Sequence, residues 1–532
     1  MIQFDELPES EGQYRAVQVA AGGQQVYPAY ARVSAMPYNT VWPGRQRPLE
    51  QTEDAGFVLM QADEPFEMTV TYDHVVEEVI VRPLSKAIPV QCQGSVARFT
   101  LPGPGQYSVE ADGPHHALAV FVNPPGQFGV DLDDPSVLYY GPGVHHAGQI
   151  TLKSEQTLYL EAGAVVYGSV TAIGAQHVTI AGHGILDGSL ETRESEDYLY
   201  PVATAGPGGS MDDGQAHVAY LHPVSQECLP EDAADMQAHL KAQRVLHGCI
   251  RFYHCRDIRV LGVTLRDSAS FALIPANCVG IHIAYVKTIG MWRYNADGID
   301  LINSSDALIE DCYLRNFDDC MVLKGVKGFD RRNVARIAMR RLTVWCDWGR
   351  ALEIGAETCA DAYHDILFED CDLIHGAHMM MDIQNGDRAR VHDVTFRNIR
   401  CEFSSEDMPC VYQSDMDEPY EQAAARVIPA TSTKGFDPEH MEYGLLMKIH
   451  NYCGVFSKDG KMGGVKGVRF EQIQVYLQKD APMPLSRFEG VDPEHMTEDV
   501  KIINLKVNGR RLTSLEEAGV TCTAHTRNIT IQ

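Results

Sequence analysis

Between residues 255 and 401 one short phrase keeps returning. It reads DIRVLGVTL (257–265), GIHIAYVKTI (280–289), DALIEDCYL (306–314), ARIAMRRLTV (335–344), HDILFEDCDLI (364–374) and HDVTFRNIRC (392–401). KGVRFEQIQV (466–475) and DVKIINLKV (499–507) share it. Each copy has two or three apolar positions two apart, then a second short strand about three residues on. Through residue 401 the copies lie roughly 23 to 29 residues apart, a period that marks a solenoid. Alternation over four or five residues, β-branched side chains and glycine breaks specify strands rather than helices. The LxxLxL pattern of leucine-rich repeats is absent. The pattern therefore predicts an all-β chain built as a right-handed parallel β-helix, one coil per repeat. Its structural competitor is an array of β-sandwiches.

The chain starts differently. FEMTVTYD (66–73), VEEVIVRPL (76–84), ARFTLP (97–102), GQYSVEA (105–111) and HALAVFVN (116–123) alternate apolar and polar residues between closely spaced turns. That is the signature of an antiparallel sheet, here a small β-sandwich closed by Pro124 and Pro125. Coil-like strands then begin with GQITLKSEQTLYLEAGAVVYGSV (148–170) and HVTIAGHGILDG (177–188). The expected layout is a sandwich over residues 1–128 and a β-helix over 129–532. An irregular insertion at about 190–245, with GPGGSMDDG (206–214) in its middle, is placed over the functional face.

A length of 532 residues allows two to four domains. The formal net charge of −28 argues against a nucleic-acid partner, which requires basic patches. No run of 18 apolar residues is present, so no membrane span is expected. The N-terminal MIQFDELPES lacks a basic stretch followed by an apolar one, which leads to the expectation of a cytoplasmic protein. Fourteen cysteines without a CxxC pair are expected to serve as reduced, small apolar residues.

Within the repeats, NADGIDLINSSDALIEDCYLRNFDDCMVLKG (295–325) holds Asp297, then Asp318 and Asp319, 21 and 22 positions later. Coils of a β-helix stack about 4.8 Å apart, so residues one coil apart are neighbours. All three carboxyls then share one patch of wall. Adjacent strand residues point to opposite faces, so Asp318 and Asp319 reach the same groove only at a bend. Mutual repulsion raises at least one pKa. A fold gains nothing from that, whereas acid/base chemistry uses it: one carboxyl donates a proton while another activates water. A lone DD or DG is more often a turn; the joint spacing over one coil makes the stronger case.

These residues resemble glycoside hydrolase family 28, the polygalacturonases, and the clan relatives of family 49, the dextranases and isopullulanases. Asn295, Asp297 and Gly298, then Asp318 and Asp319 and a strand ending in Lys324-Gly325, match the family pattern. AGHGILDGS (181–189) is similar to an early coil of the family, and GRALEIGAET (349–358) to its Ile-Gly-Ser-Glu segment. The resemblance covers roughly 140–400. It implies an inverting glycoside hydrolase that needs no cofactor or metal. By it Asp318 is the general acid, and Asp297 and Asp319 hold and activate the attacking water.

Two departures matter. The family's Gly-His-Gly is replaced by CDWGRALEIG (346–355), which puts Arg350 or Trp348 where the histidine would be. The family's Arg-Ile-Lys, which binds a substrate carboxylate, is replaced by Asp382-Ile383-Gln384. An aspartate there would repel a uronate by roughly 4 kcal/mol at 4 Å and an effective dielectric near 20. A neutral sugar is expected, and cleavage from a chain end is one reading. The competing reading is that Asp382 only pairs with Arg388 or Arg390.

Trp292, Trp345 and Trp348 lie near the motif coils, and Trp42 does not; aromatic faces stack on sugars, although core packing explains any one of them equally well. Lys324 is a candidate for a substrate hydroxyl or for setting the charge of the triad, and Glu353 and Glu357 for hydroxyl binding. The expected partner is an oligosaccharide, with the chain a monomer or homo-oligomer. Other readings are a galacturonide-cleaving hydrolase, a β-helix polysaccharide lyase and a non-catalytic carbohydrate-binding solenoid. A lyase would release an ultraviolet-absorbing product. A binding solenoid would be indifferent to Asp318→Asn.

Overall fold

The computed structural model describes residues 2–35, 49–126, 128–191, 248–293, 295–329, 332–407, 444–451, 459–478 and 481–532. The expected insertion lies outside the described residues beyond Glu191, as does Trp42.

The repeats form a right-handed parallel β-helix, as expected. In the middle of the stack each coil contributes three strands. One coil is Ser305–Glu310, Tyr313–Asn316 and Met321–Gly325; the next is Val334–Arg340, Thr343–Cys346 and Arg350–Thr358, paired parallel to it strand by strand. The first strands make one 12-stranded sheet, and the other two walls join in a 21-stranded sheet. Alternation explains the arrangement. In Val334–Arg340, Ile337 and Met339 are buried while Arg336 is exposed. Register then stacks like on like: Ile281, Ala307, Ile337, Ile366 and Val394 form one internal ladder. Phe368, Phe396 and Phe470 form another, with stacked rings 4.6 and 5.0 Å apart. Cysteines such as Cys312, Cys371 and Cys401 lie in the same core. Each large apolar side chain buried this way contributes roughly 1.5–3 kcal/mol.

Coils turn at left-handed residues. Tyr285, Asp311, Arg341, Asp370 and Asn398 all have φ between 53° and 57° at the end of the first strand. Asp and Asn suit that conformation, which accounts for many aspartates that have no part in chemistry.

The described residues of 2–35 and 49–123 form two sheets over a shared core that includes Val19, Met68 and Val70 from one and Met60, Val109 and Val120 from the other. The five-stranded sheet is antiparallel throughout. The six-stranded sheet departs from expectation: Leu118–Asn123 runs parallel to Thr52–Ala62. The other face of that sheet, through Phe57, Leu59 and Phe121, packs on the solenoid wall at Ile289, Tyr313, Trp345 and Ile374. Trp345 is therefore committed to this contact and not to the groove. Its ring lies 3.7 Å from the Arg315 guanidinium and 4.1 Å from the His375 ring.

A buried polar network pins the contact. Arg82 bonds Glu110 at 2.8 Å and also Glu402; His375 joins Glu110 at 2.9 Å and Asp407 at 2.6 Å. Burial alone would depress the imidazole, but Glu110 and Asp407 raise it from 6.5 to about 9. A pKa raised by folding stabilises below the unfolded value and is lost as pH rises through the folded one. The urea midpoint is therefore expected to fall between pH 6.5 and pH 9, and His375→Gln to flatten that slope. An unchanged slope in the variant would assign the effect to another group.

Candidate active site

The motif residues meet at the bends that begin one column of strands. Ile299 pairs with Met321 and Met321 with Leu352. The residues two positions earlier on each coil, Asp297, Asp319 and Arg350, therefore stack in consecutive coils. The backbone confirms it: Gly298 N–H donates to Asp319 O at 2.8 Å, and Cys320 N–H to Arg350 O at 2.8 Å. Two glycines make the close passage possible. A Cβ on Gly298 would sit 2.3 Å from Cys320 O, and one on Gly349 would sit 2.5 Å from the peptide joining Asp318 and Asp319. At the bend the Asp319 N–H donates to the Asp318 carboxyl at 3.1 Å.

Lys324 stands at the centre. Its Nζ lies 3.6 Å from Asp297, 3.3 Å from Asp319 and 3.4 Å from Glu357. It is buried, so of its two candidate roles the structure favours setting the charge of the cluster. Arg350, rather than Trp348, occupies the outward position. It lies 3.5 Å from Asp319, 3.8 Å from Glu353 and 3.5 Å from Asp382, and its backbone N–H donates to Asp319 at 3.1 Å. Asp382 therefore pairs with Arg350 and not with Arg388, which faces Asp459 at 3.9 Å, nor with Arg390. Gln384 donates to Glu353 at 2.7 Å.

These partners drive the two adjacent aspartates apart. Burial, then the charge of Asp319, raises Asp318 to about 8. Burial would raise Asp319 too, but Lys324 and Arg350 overrule it and hold the carboxyl at about 2. Glu353 is pushed well up by burial and by Asp319, and a hydrogen bond from it helps to hold Asp319 down. Burial and then Asp300 and Asp318 also push Asp297 well above its usual range. At neutral pH Asp318 is thus a buried acid beside a carboxylate, Asp319. Asn295 donates to Asp318 at 3.5 Å from a left-handed turn.

Trp348 is buried and stacks on Phe317, 5.3 Å away, at the bend next to Asp318. Trp292 is half-buried, with the Arg293 guanidinium 5.7 Å from its ring. Sequence reasoning missed Asp300. It is fully buried, neither carboxyl oxygen has a hydrogen-bond donor among the described residues, and its pKa is pushed well up by burial. Its position between the buried Ile299 and Leu301 was the available signal, since alternation turns it outward with the triad.

Comparison with known proteins agrees with the resemblance. Residues 232–426 match the model of glycosyl hydrolases family 28. A probable polygalacturonase of Vitis vinifera is 27% identical over 192 residues, 34% of this chain and 38% of that protein. The chain thus spans well under half the length of this relative. Among solved structures, Dex49A from Penicillium minioluteum superposes over 98% of this chain and 94% of its own, with a TM-score of 0.58 and 12% identity. The family 28 exopolygalacturonase of Yersinia enterocolitica covers 88% of this chain and 97% of its own, with a TM-score of 0.47 and 13% identity. At such identities the likeness to Dex49A is one of fold. Residues 232–426 thus resemble family 28, and the chain shares the fold of Dex49A.

Proposed function

We propose that the protein is a glycoside hydrolase that cleaves its substrate with inversion, with Asp318 as general acid. The observation that carries this reading is the placing of two cations on Asp319, Lys324 at 3.3 Å and Arg350 at 3.5 Å, with no such ion pair at the adjacent buried Asp318 among the described residues. It pushes Asp319 downward and leaves Asp318 upward. That is the division an acid and a water-activating base require at one pH. Asp319 is the ionised partner and therefore the principal base. Asp297, itself pushed up, positions the water beside it. Arg350 takes the place of the family histidine by holding the charge of Asp319. No step needs a metal or cofactor, because proton donor, base and charge compensation are all side chains of this chain.

At the bond to be cleaved the sugar is neutral. The neighbourhood of Asp318 holds Asp297, Asp300, Asp319, Glu353, Glu357 and Asp382 against Lys324 and Arg350. The Arg350 guanidinium is already engaged by Asp319, Glu353 and Asp382, so a uronate carboxylate placed at Asp382 would have to compete with them for it.

The test is incubation with a panel of neutral and acidic oligosaccharides, read by chromatography and by early-time proton NMR of the released anomer. Hydrolysis with the anomer inverted is expected. A retained anomer would sink the mechanism, and an ultraviolet-absorbing unsaturated product would make the protein a lyase. If only homogalacturonides are cleaved, the reading of Asp382 is wrong and the substrate is pectin.

A further inference from the structure

Close passage at Gly298 and Gly349 holds the bends of Asp297, Asp319 and Arg350 against one another. The first of these bends must also be held on its other side, where the chain arrives from Met291. Ala272 N–H donates to Asp297 O at 2.9 Å, but among the described residues no backbone hydrogen bond joins residues 292–295 to another coil.

The side chain of Arg293 supplies the tie. Its Nε lies 3.1 Å from Asp267, and its two terminal nitrogens donate to Glu191 O and Ser189 O, each at 3.0 Å. Strands Ile185–Asp187, Thr264–Arg266 and Lys287–Met291 stack in consecutive coils, and Ser189, Asp267 and Arg293 follow them in turn. One guanidinium therefore joins three successive bends on the approach to the cluster. The rigid fork of donors suits that task, and the single nitrogen of a lysine cannot span all three acceptors.

The tied stretch leads straight into the site. Arg293 O accepts from Ala296 N–H at 3.1 Å. Asn295 donates to Asp318 at 3.5 Å, and Asp297 lies 3.6 Å from Lys324. We propose that Arg293 is a positioning residue of the active site, whose clamp on Ser189, Glu191 and Asp267 fixes where Asn295 and Asp297 stand against Asp318. It acts through the bend. The inference rests on the hydrolase reading and adds what holds that site in place.

The test uses Arg293→Gln and Arg293→Lys in the full chain, on whichever oligosaccharide of the panel the wild type cleaves. Arg293→Gln is expected to lower kcat by up to about 100-fold, the scale of a 1 Å misplacement, with KM little changed. Arg293→Lys keeps a charge beside Asp267 and should recover only part of the loss. Losing the Asn295 bond disfavours the ionised form of Asp318. The alkaline limb of kcat/KM should therefore move up by about half a pH unit in Arg293→Gln, the scale of one weak hydrogen bond. An arginine that only stabilises the fold would lower the urea midpoint and leave kcat and that limb in place. This outcome overturns the proposal and leaves glycoside hydrolysis standing. Should Arg293→Gln fail to fold, Asp267→Asn keeps the arginine and both carbonyl bonds, and the same two readouts should move less but in the same direction. If the wild type cleaves nothing, the hydrolase reading fails by itself and hydrogen exchange decides the clamp. Residues 292–297 should exchange faster in Arg293→Gln than in wild type, and equal exchange overturns the proposal.

Discussion

Asp318→Asn is expected to lower kcat by roughly 100- to 10,000-fold, the usual contribution of a positioned general acid, with KM little changed. The side chain keeps its shape but has no acidic proton to deliver. The pH profile gives an independent check. The wild-type acid is protonated below about 8, so kcat/KM should fall as pH rises through that value. Asp318→Asn should lose this alkaline limb. Stability should move the other way. A carboxyl whose pKa folding has raised costs stability once the unfolded chain ionises, above the usual carboxylate range. The asparagine variant should therefore resist urea better than wild type at pH 7. Activity within a few-fold of wild type would make the aspartates a structural cluster.

Arg82→Ala is expected to destabilise the fold by about 3–5 kcal/mol, the range for removing one partner of a buried ion pair. Arg82 is the cation between Glu110 and Glu402, both nearly inaccessible to solvent. Removing it leaves two carboxylates to share His375 alone. Burial already raises Glu402 to about 7 with Arg82 present, so without it Glu402 should take up a proton near neutrality. Adding Glu402→Gln to Arg82→Ala should recover part of the loss, because the orphaned charge is then gone. Urea denaturation of the three variants reads both effects. A loss below about 1 kcal/mol for Arg82→Ala would show that the network relaxes into solvent.

The solenoid was legible because its signal is local and repeated: apolar positions two apart, renewed in every coil. The triad was legible because Asp297, Asp318 and Asp319 are separated by one short coil, where sequence distance translates directly into stacking. The pairing of Asp382 with Arg350 was harder, since 32 residues separate them and coil length varies. The stacking of Lys448 beside Asp382 was out of reach for the same reason: the chain between them is more than twice one coil, and no period survives it. Trp345 failed differently. Alternation correctly turns it outward, but nothing nearby announces that Phe57 and Phe121, more than 200 residues earlier, cover that wall. The parallel pairing of Leu118–Asn123 with Thr52–Ala62 is invisible for a related reason. Alternating residues specify a strand and its faces, not the direction of its partner.

That cover changes what kind of object the solenoid is. A bare stack of coils behaves as a one-dimensional chain of nearest-neighbour contacts and can fray from either end. Here one sheet lies across the stack and touches successive coils from Val165 and Ile185 through Ile289, Tyr313 and Trp345 to Ile374. It acts as a splint. Opening any coil in that span breaks contacts to a body that also holds the others, so the splinted coils, which include those of the aspartates, share one melting event. Among the described residues the coils from Leu445 onward add no side chain to that apolar contact; they meet the sheet instead through Gln478, which accepts from Arg82 at 2.9 Å, and otherwise cohere as neighbours.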